Sequence, residues 1–154
     1  MNPDISIVIP TYNRVVLLKE AIESCLYTST FLQKEIIVVD DGSTDGTQDY
    51  VQSLNCDQVT CISQKSQGAQ VARNRGHQEA TGKYIKFLDD DDLLVSGALS
   101  KEVSKLEKTG ADVCIGDLLI RNRRGDEEEH QQRPDPNLIC GILLGSTWTI
   151  PAGL

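Results

Sequence analysis

The sequence predicts a three-layer α/β domain built on a mainly parallel sheet. Two observations carry that prediction. Short, nearly unbroken apolar runs alternate with stretches of helical periodicity, and three of the runs end in polar or acidic clusters. Strands that are apolar on both sides need helices covering both faces, and strand–helix alternation implies right-handed crossovers between parallel neighbours. A length of 154 residues suits one well-buried domain and is short for two.

Ile5-Ser6-Ile7-Val8-Ile9 is the first apolar run, stopped by Pro10, and reads as a buried strand. Residues 14–26 then place Leu17, Leu18, Ala21, Ile22, Cys25 and Leu26 on one helical face. Glu35-Ile36-Ile37-Val38-Val39 is a second buried strand, ending in Asp40-Asp41-Gly42-Ser43. Thr44 or Asp45 offers a cap for a helix running to about residue 54. Residues 58–63 form a third, less apolar strand, and 68–80 a helix with Gly82 placed as its stop. Residues 83–88 are the fourth strand. A helix over 96–109 carries Leu99, Val103 and Leu106 and is followed by Gly110. A further strand is expected over 111–116, continuing or pairing through 118–120.

Beyond Arg121 the character changes. Residues 122–137 hold charges, glutamines, a glycine and two prolines with almost no apolar side chains, the signature of a mobile polar loop. Residues 138–150 are apolar again before the chain stops at Pro151-Ala152-Gly153-Leu154, which reads as a truncation. The expected organisation is therefore an α/β domain over 1–121, a loop over 122–137, and the start of a further region over 138–154.

Composition narrows the function classes. Hydrophobic content of 39% and charged content of 25% belong to a soluble globular protein. A net charge of -8 argues against non-specific binding to nucleic acid or anionic lipid, so a nucleotide ligand must be neutralised locally. The five cysteines are odd in number and none has C-x-x-C spacing, which indicates neither a disulfide framework nor a zinc knuckle. Reduced cysteines, no signal peptide before Ile5 and no apolar run of membrane-span length together predict a cytoplasmic protein.

The chemistry gathers where the strands end. In Phe87-Leu88-Asp89-Asp90-Asp91-Asp92, four mutually repelling acids follow a strand, so something positive is expected among them. A hard divalent cation, Mg²⁺ or Mn²⁺, suits carboxylate oxygens and completes its shell with water and phosphate. A solvated acidic loop capping the next helix is the plainer reading. Ligands of open parallel sheets collect at the carboxyl ends of strands. Pro10-Thr11-Tyr12-Asn13, residues 40–46 and residues 89–92 all lie at such ends. Residues 40–46 imitate a calcium loop, yet the acid needed at its close is Gln52, and Asp41 is better suited to accept a hydrogen bond from a nucleobase imide. No G-x-G-x-x-G follows the first strand, and residues 76–83 fail as a phosphate loop. With only His77 and His130, a histidine-rich metal site or serine-type triad has no support. In Ala72-Arg73-Asn74-Arg75, Arg73 or Arg75 is placed to pair either with a diphosphate or with the acidic loop.

These segments, in this order and spacing, resemble glycosyltransferase family 2 over roughly residues 4–117: the first strand with Pro10-Thr11-Tyr12-Asn13, then Val38-Val39-Asp40-Asp41-Gly42-Ser43, then Ala72-Arg73-Asn74, then Phe87-Leu88-Asp89-Asp90-Asp91-Asp92. The resemblance implies a GT-A fold and transfer of a sugar, with inversion, from a nucleotide-diphosphate donor. It assigns nucleotide binding to Pro10, Thr11, Tyr12, Asn13, Asp41, Arg73, Asn74, Asp89 and Asp90, with Asp41 on the base. It assigns a Mn²⁺ or Mg²⁺ ion to Asp89 and Asp91, the ends of a D-x-D motif, with Asp91 the more direct ligand. UDP is the default nucleotide, with dTDP and GDP as alternatives. The acceptor implied is a surface polysaccharide or lipid-linked glycan, so membrane association would be peripheral, at the inner face, and would come through that substrate. The family's general base lies in its second half, beyond Leu154. A nucleotide-sugar binding module without catalysis, or a nucleotidyltransferase, are the competing readings.

Overall fold

The computed structural model describes residues 2–116, 118–121, 127–130 and 148–151. Strands β1 (Ile5–Thr11), β2 (Lys34–Asp40), β3 (Val59–Ser63) and β4 (Tyr84–Phe87) lie parallel in the order β3-β2-β1-β4. Helices α1 (Val15–Tyr27), α2 (Thr47–Ser53) and α3 (Ala69–Glu79) connect them, and α4 (Ala98–Thr109) follows β4. All seven residues of β1 are buried, as expected of the strand that packs helices on both faces.

The strand alternation divides the core in two. Ile5, Ile7 and Ile9 point with Tyr84 and Leu88 towards Leu18, Ile22 and Cys25 of α1 and Leu99, Val103 and Leu106 of α4. Val8, Val39, Ile85 and Phe87 point the other way, with Ala72 of α3. Helix α3 comes very close to the sheet at Gly76, where a Cβ would sit 2.3 Å from Val8 Cγ1. Lys86, 1% exposed, shares its face of β4 with the first core and donates to both carboxylate oxygens of Glu102 on α4 at 2.8 Å. A charge so deeply buried is tolerable only when paired in this way, and the pair ties β4 to α4 just before the acidic run.

Several expectations are corrected. Leu17 is 41% exposed, so the buried face of α1 is the narrower set Leu18, Ala21, Ile22 and Cys25. Helix α3 ends at Glu79, and Gly82 serves a close approach instead of a helix stop: its Cβ would lie 2.6 Å from Ser6 N, and its N–H donates to Ser6 Oγ at 2.8 Å. Gly110 does stop α4, in the left-handed conformation (φ 65°). Asp45 caps two helices from one carboxylate. Oδ1 accepts from Thr47 N and Oγ1, while Oδ2 accepts from Val15 N at 2.8 Å, serving the start of α1.

Past α4 the reading differs further. The strand expected over 111–116 is short, β5 (Cys114–Ile115). Strand β6 (Leu118–Arg121) pairs antiparallel with β7 (Glu127–His130), which lies within the stretch expected to be a mobile loop. Strand β8 (Trp148–Pro151) enters the main sheet antiparallel between β4 and β5, making the order β3-β2-β1-β4-β8-β5. Ile150 joins the core beside Ile85 and Phe87. Residues 122–126 and 131–147, which include most of the expected loop and of the apolar segment after it, lie outside the described residues.

Candidate functional site

The carboxyl ends of β1, β2 and β4 meet the start of α3 around one cleft of ≈ 330 Å³. Its walls are Pro10, Thr11, Tyr12, Arg14, Asp41, Ala69, Ala72, Arg73, Asp89, Asp90 and Asp91. The loops are laced together by backbone and side-chain bonds: Asp41 N–H donates to Thr11 O at 2.9 Å, and Asn13 N–H to Ser43 Oγ at 2.9 Å. Asn13 adopts a positive φ (51°), which asparagine tolerates better than most residues, and its Oδ1 accepts from Thr44 N at 2.8 Å. Asn13 is thus a brace between loops and does not line the cleft. Asn74, expected on the nucleotide, is exposed on α3 and does not line it either.

Asp41 sits on the cleft wall at 4% exposure with every acceptor position filled. Oδ1 accepts from Gln64 Nε2 (2.8 Å) and Gln67 N (2.9 Å), and Oδ2 from Ser66 Oγ (3.1 Å) and Gly68 N (2.9 Å). Gly68 has φ 93°, a conformation open to glycine, and it is this turn that aims its N–H at the carboxylate. Burial pushes the Asp41 carboxyl up, but the bonds from Gln64, Gln67, Gly68 and Ser66 outweigh it and hold the pKa below the ordinary value of 3.8. A carboxylate so held is both an acceptor and the anchor of the segment leading into α3. Gln64, Ser66 and Gln67 carry no pattern that marks them in the sequence, and Gly68 is marked there as a helix start and not as a donor.

The acidic run is partly neutralised from within. Arg73 of α3 pairs with Asp89 Oδ1. Arg14, at the foot of α1, uses one nitrogen to bond Asp90 Oδ1 at 3.1 Å and Asp91 Oδ2 at 3.0 Å. Asp90 is buried, and its other oxygen accepts from Thr11 Oγ1 at 2.8 Å. Two arginines therefore supply part of the positive charge expected among these four acids, and a net negative charge remains. Arg75 takes no part, pairing with Glu79 one turn on. Asp92, half-buried, has its carboxyl pushed up by burial and then by repulsion from Asp89 and Asp91.

Among the described residues, no group of three or more His, Cys, Asp or Glu side chains forms a metal cage. Asp89 Oδ2 and Asp91 Oδ1 nevertheless accept no bond from the described residues, and both side chains reach solvent (29% and 51% exposed). Two available carboxylate oxygens at the mouth of a cleft suit Mg²⁺ or Mn²⁺. Such ions are commonly held by one or two carboxylates and completed by substrate phosphates, not by an all-protein cage.

The family model described as Glycosyl transferase family 2 matches residues 6–152. The chain is 42% identical over 122 residues to a GalNAc(5)-diNAcBac-PP-undecaprenol beta-1,3-glucosyltransferase of Campylobacter jejuni, covering 77% of this chain and 39% of that protein. In structure it is similar to Staphylococcus aureus TarS 1–349 in complex with UDP-GlcNAc (TM-score 0.65, 25% identity, 73% of this chain and 33% of that one). It shares its fold with the mannosyltransferase PcManGT from Pyrobaculum calidifontis, in complex with GDP-Man and Mn²⁺ (TM-score 0.67, 23% identity, 80% of this chain and 37% of that one). The chain spans about two fifths or less of the length of the first curated relatives it matches.

Proposed function

The chain belongs to glycosyltransferase family 2 and has the GT-A fold, and from that premise we propose that it is the donor-binding half of an inverting sugar transferase. The observation that carries the proposal is the convergence on one cleft of Thr11, Asp41, Arg73 and the run Asp89–Asp91, drawn from three strand ends and a helix start. A nucleoside diphosphate needs an acceptor for its base, cations for its phosphates and a wall for its ribose, and the cleft offers each.

In this reading the base lies against Asp41. Its imide N–H takes the place of one internal donor, and the Gln64 amide, on a flexible side chain, is the one that yields most cheaply. The ribose rests near Thr11 and Asp90, whose mutual bond fixes the floor, with Tyr12 and Pro10 beside it. Arg73 faces the diphosphate. Asp89 and Asp91 would hold a divalent cation, which when bound offsets negative charge on the leaving phosphates. The general base would belong to the acceptor side of the site and is assigned to none of the residues that line the cleft. Transfer is to a glycan or lipid-linked acceptor, and contact with a membrane would come through it. Among the described residues no helix is long and apolar enough to cross a membrane.

Calorimetric titration of the chain with UDP, dTDP and GDP, each with and without Mn²⁺, tests the reading. The expected result is a preference for UDP that depends on Mn²⁺ and disappears in Asp91→Ala. Nucleotide binding that ignores both the metal and Asp91 would overturn it.

A further inference from the structure

We propose that Arg14 is an internal counter-cation that competes with a divalent metal for Asp91, so that the cleft takes metal tightly only together with a diphosphate. This deepens the donor-site reading above and rests on it. The geometry is one nitrogen shared between two acids, at 3.1 Å from Asp90 Oδ1 and 3.0 Å from Asp91 Oδ2.

The two limbs of this contact are unequal. Asp90's side chain is 7% exposed and is also held by Thr11 in a buried bond, so it stays in place. Asp91 is 51% exposed, and Arg14 is its one partner among the described residues. Arg14 is itself 51% exposed, so its guanidinium leaves Asp91 without vacating a packed site. The Asp90 limb is a tether, and the Asp91 limb is a latch.

A doubly charged ion on Asp91 meets a guanidinium hydrogen-bonded to the same carboxylate. Like charges so close repel, even with the ion on the available Oδ1 and Arg14 on Oδ2. Metal alone is therefore penalised. A diphosphate reverses the balance, because its oxygens offer the planar guanidinium a new bidentate partner while still anchored at Asp90. By linkage, whatever Arg14 takes from metal affinity in the empty cleft reappears as mutual tightening of metal and diphosphate. Arg73 on Asp89 repels the ion too, but it bridges no second acid and so has no tether from which to swing.

The test is Mn²⁺ titration of the full chain without nucleotide, read by electron paramagnetic resonance of free Mn²⁺, on wild type, Arg14→Gln, Arg14→Lys and Asp91→Asn. Arg14→Gln is expected to bind Mn²⁺ alone roughly fivefold tighter or more. Arg14→Lys, which keeps the charge, is expected to stay near wild type. An Arg14→Gln protein that binds Mn²⁺ alone no tighter than wild type overturns the proposal. Thermal melting checks folding, and Arg14→Met supplies the same comparison if the glutamine variant is unstable. UDP titrations separate the two ideas. If UDP binding depends on Mn²⁺ and falls in Asp91→Asn while uncharged Arg14 variants leave Mn²⁺ affinity unmoved, the Arg14 proposal alone falls. If UDP binding by wild type is indifferent to Mn²⁺ and to Asp91→Asn, the donor-site reading falls and takes this proposal with it.

Discussion

Asp41→Asn keeps one acceptor oxygen but turns the other into an amide that faces donors. With four internal donors to satisfy, at least two lose their partner, at about 1–3 kcal/mol for each buried group left unsatisfied. The expected loss of stability is about 3 kcal/mol, measured by urea unfolding at neutral pH. Its pH dependence has a definite sign. Because the folded carboxyl titrates below 3.8, its contribution is complete above that value and fades as pH falls through the lower folded one. The gap between wild type and Asp41→Asn should therefore narrow on acidification below pH 3.8. A second prediction concerns the floor of the cleft. Thr11→Val deletes the donor to Asp90 and leaves a buried carboxylate oxygen bare, so we expect a loss of about 1–3 kcal/mol by the same assay. At this scale the sequence reveals the acids and one of their partners, Arg73, and hides the other. The run at 89–92 announces itself by repulsion, but Arg14 lies 76 positions from Asp90, and nothing local links the two.

Among the elements, the α3–sheet contact is the tightest and the easiest to test. A methyl at Gly76 would overlap Val8 Cγ1 at 2.3 Å, on a stiff β-branched side chain in a central strand. Alanine gains helix propensity, about 1 kcal/mol, but overpacking costs about 1–3 and more when neither partner can move. Gly76→Ala should lower stability by about 2 kcal/mol net, and Val8→Ala in the same protein should recover part of it. Failure of the double variant to recover would mean that the strain lies elsewhere. Strands β1 and β2 were legible because a strand buried on both faces writes a nearly continuous apolar run, and β4 because its short apolar stretch, broken by Lys86, leads into the acids. Helix α4 was legible from Leu99, Val103 and Leu106 and from the stop at Gly110. Strand β6 falls on the expected segment 118–120, but β7 was not legible: Glu127-Glu128-Glu129-His130 has no alternation, and no local pattern marks it as a partner. Leu17 was misplaced because periodicity fixes a helical face only to within about one position on either side.

For the molecule as a whole, the proposed donor cleft lies within a chain whose match covers 39% of its Campylobacter relative. We expect this chain to bind nucleotide with Mn²⁺ yet transfer sugar at a small fraction of the rate normal for such enzymes, because the proposed mechanism assigns its general base to none of the residues that line the cleft. A radiolabelled-donor assay decides it, and ordinary turnover to a natural acceptor by these 154 residues would refute the division of labour.

The position of β8 bears on how such a protein is taken apart. Sequence character places the natural seam after Arg121, yet Trp148–Pro151 crosses it and lies against the strand that delivers the acids. A version ending at residue 121 would leave the outer ladder of β4 bare beside a greasy Ile85 and Phe87, an invitation to edge-to-edge stacking. Chimeras that trade nucleotide preference between relatives should therefore carry this late tetrapeptide along with the segment it buttresses, and cross over only downstream of it.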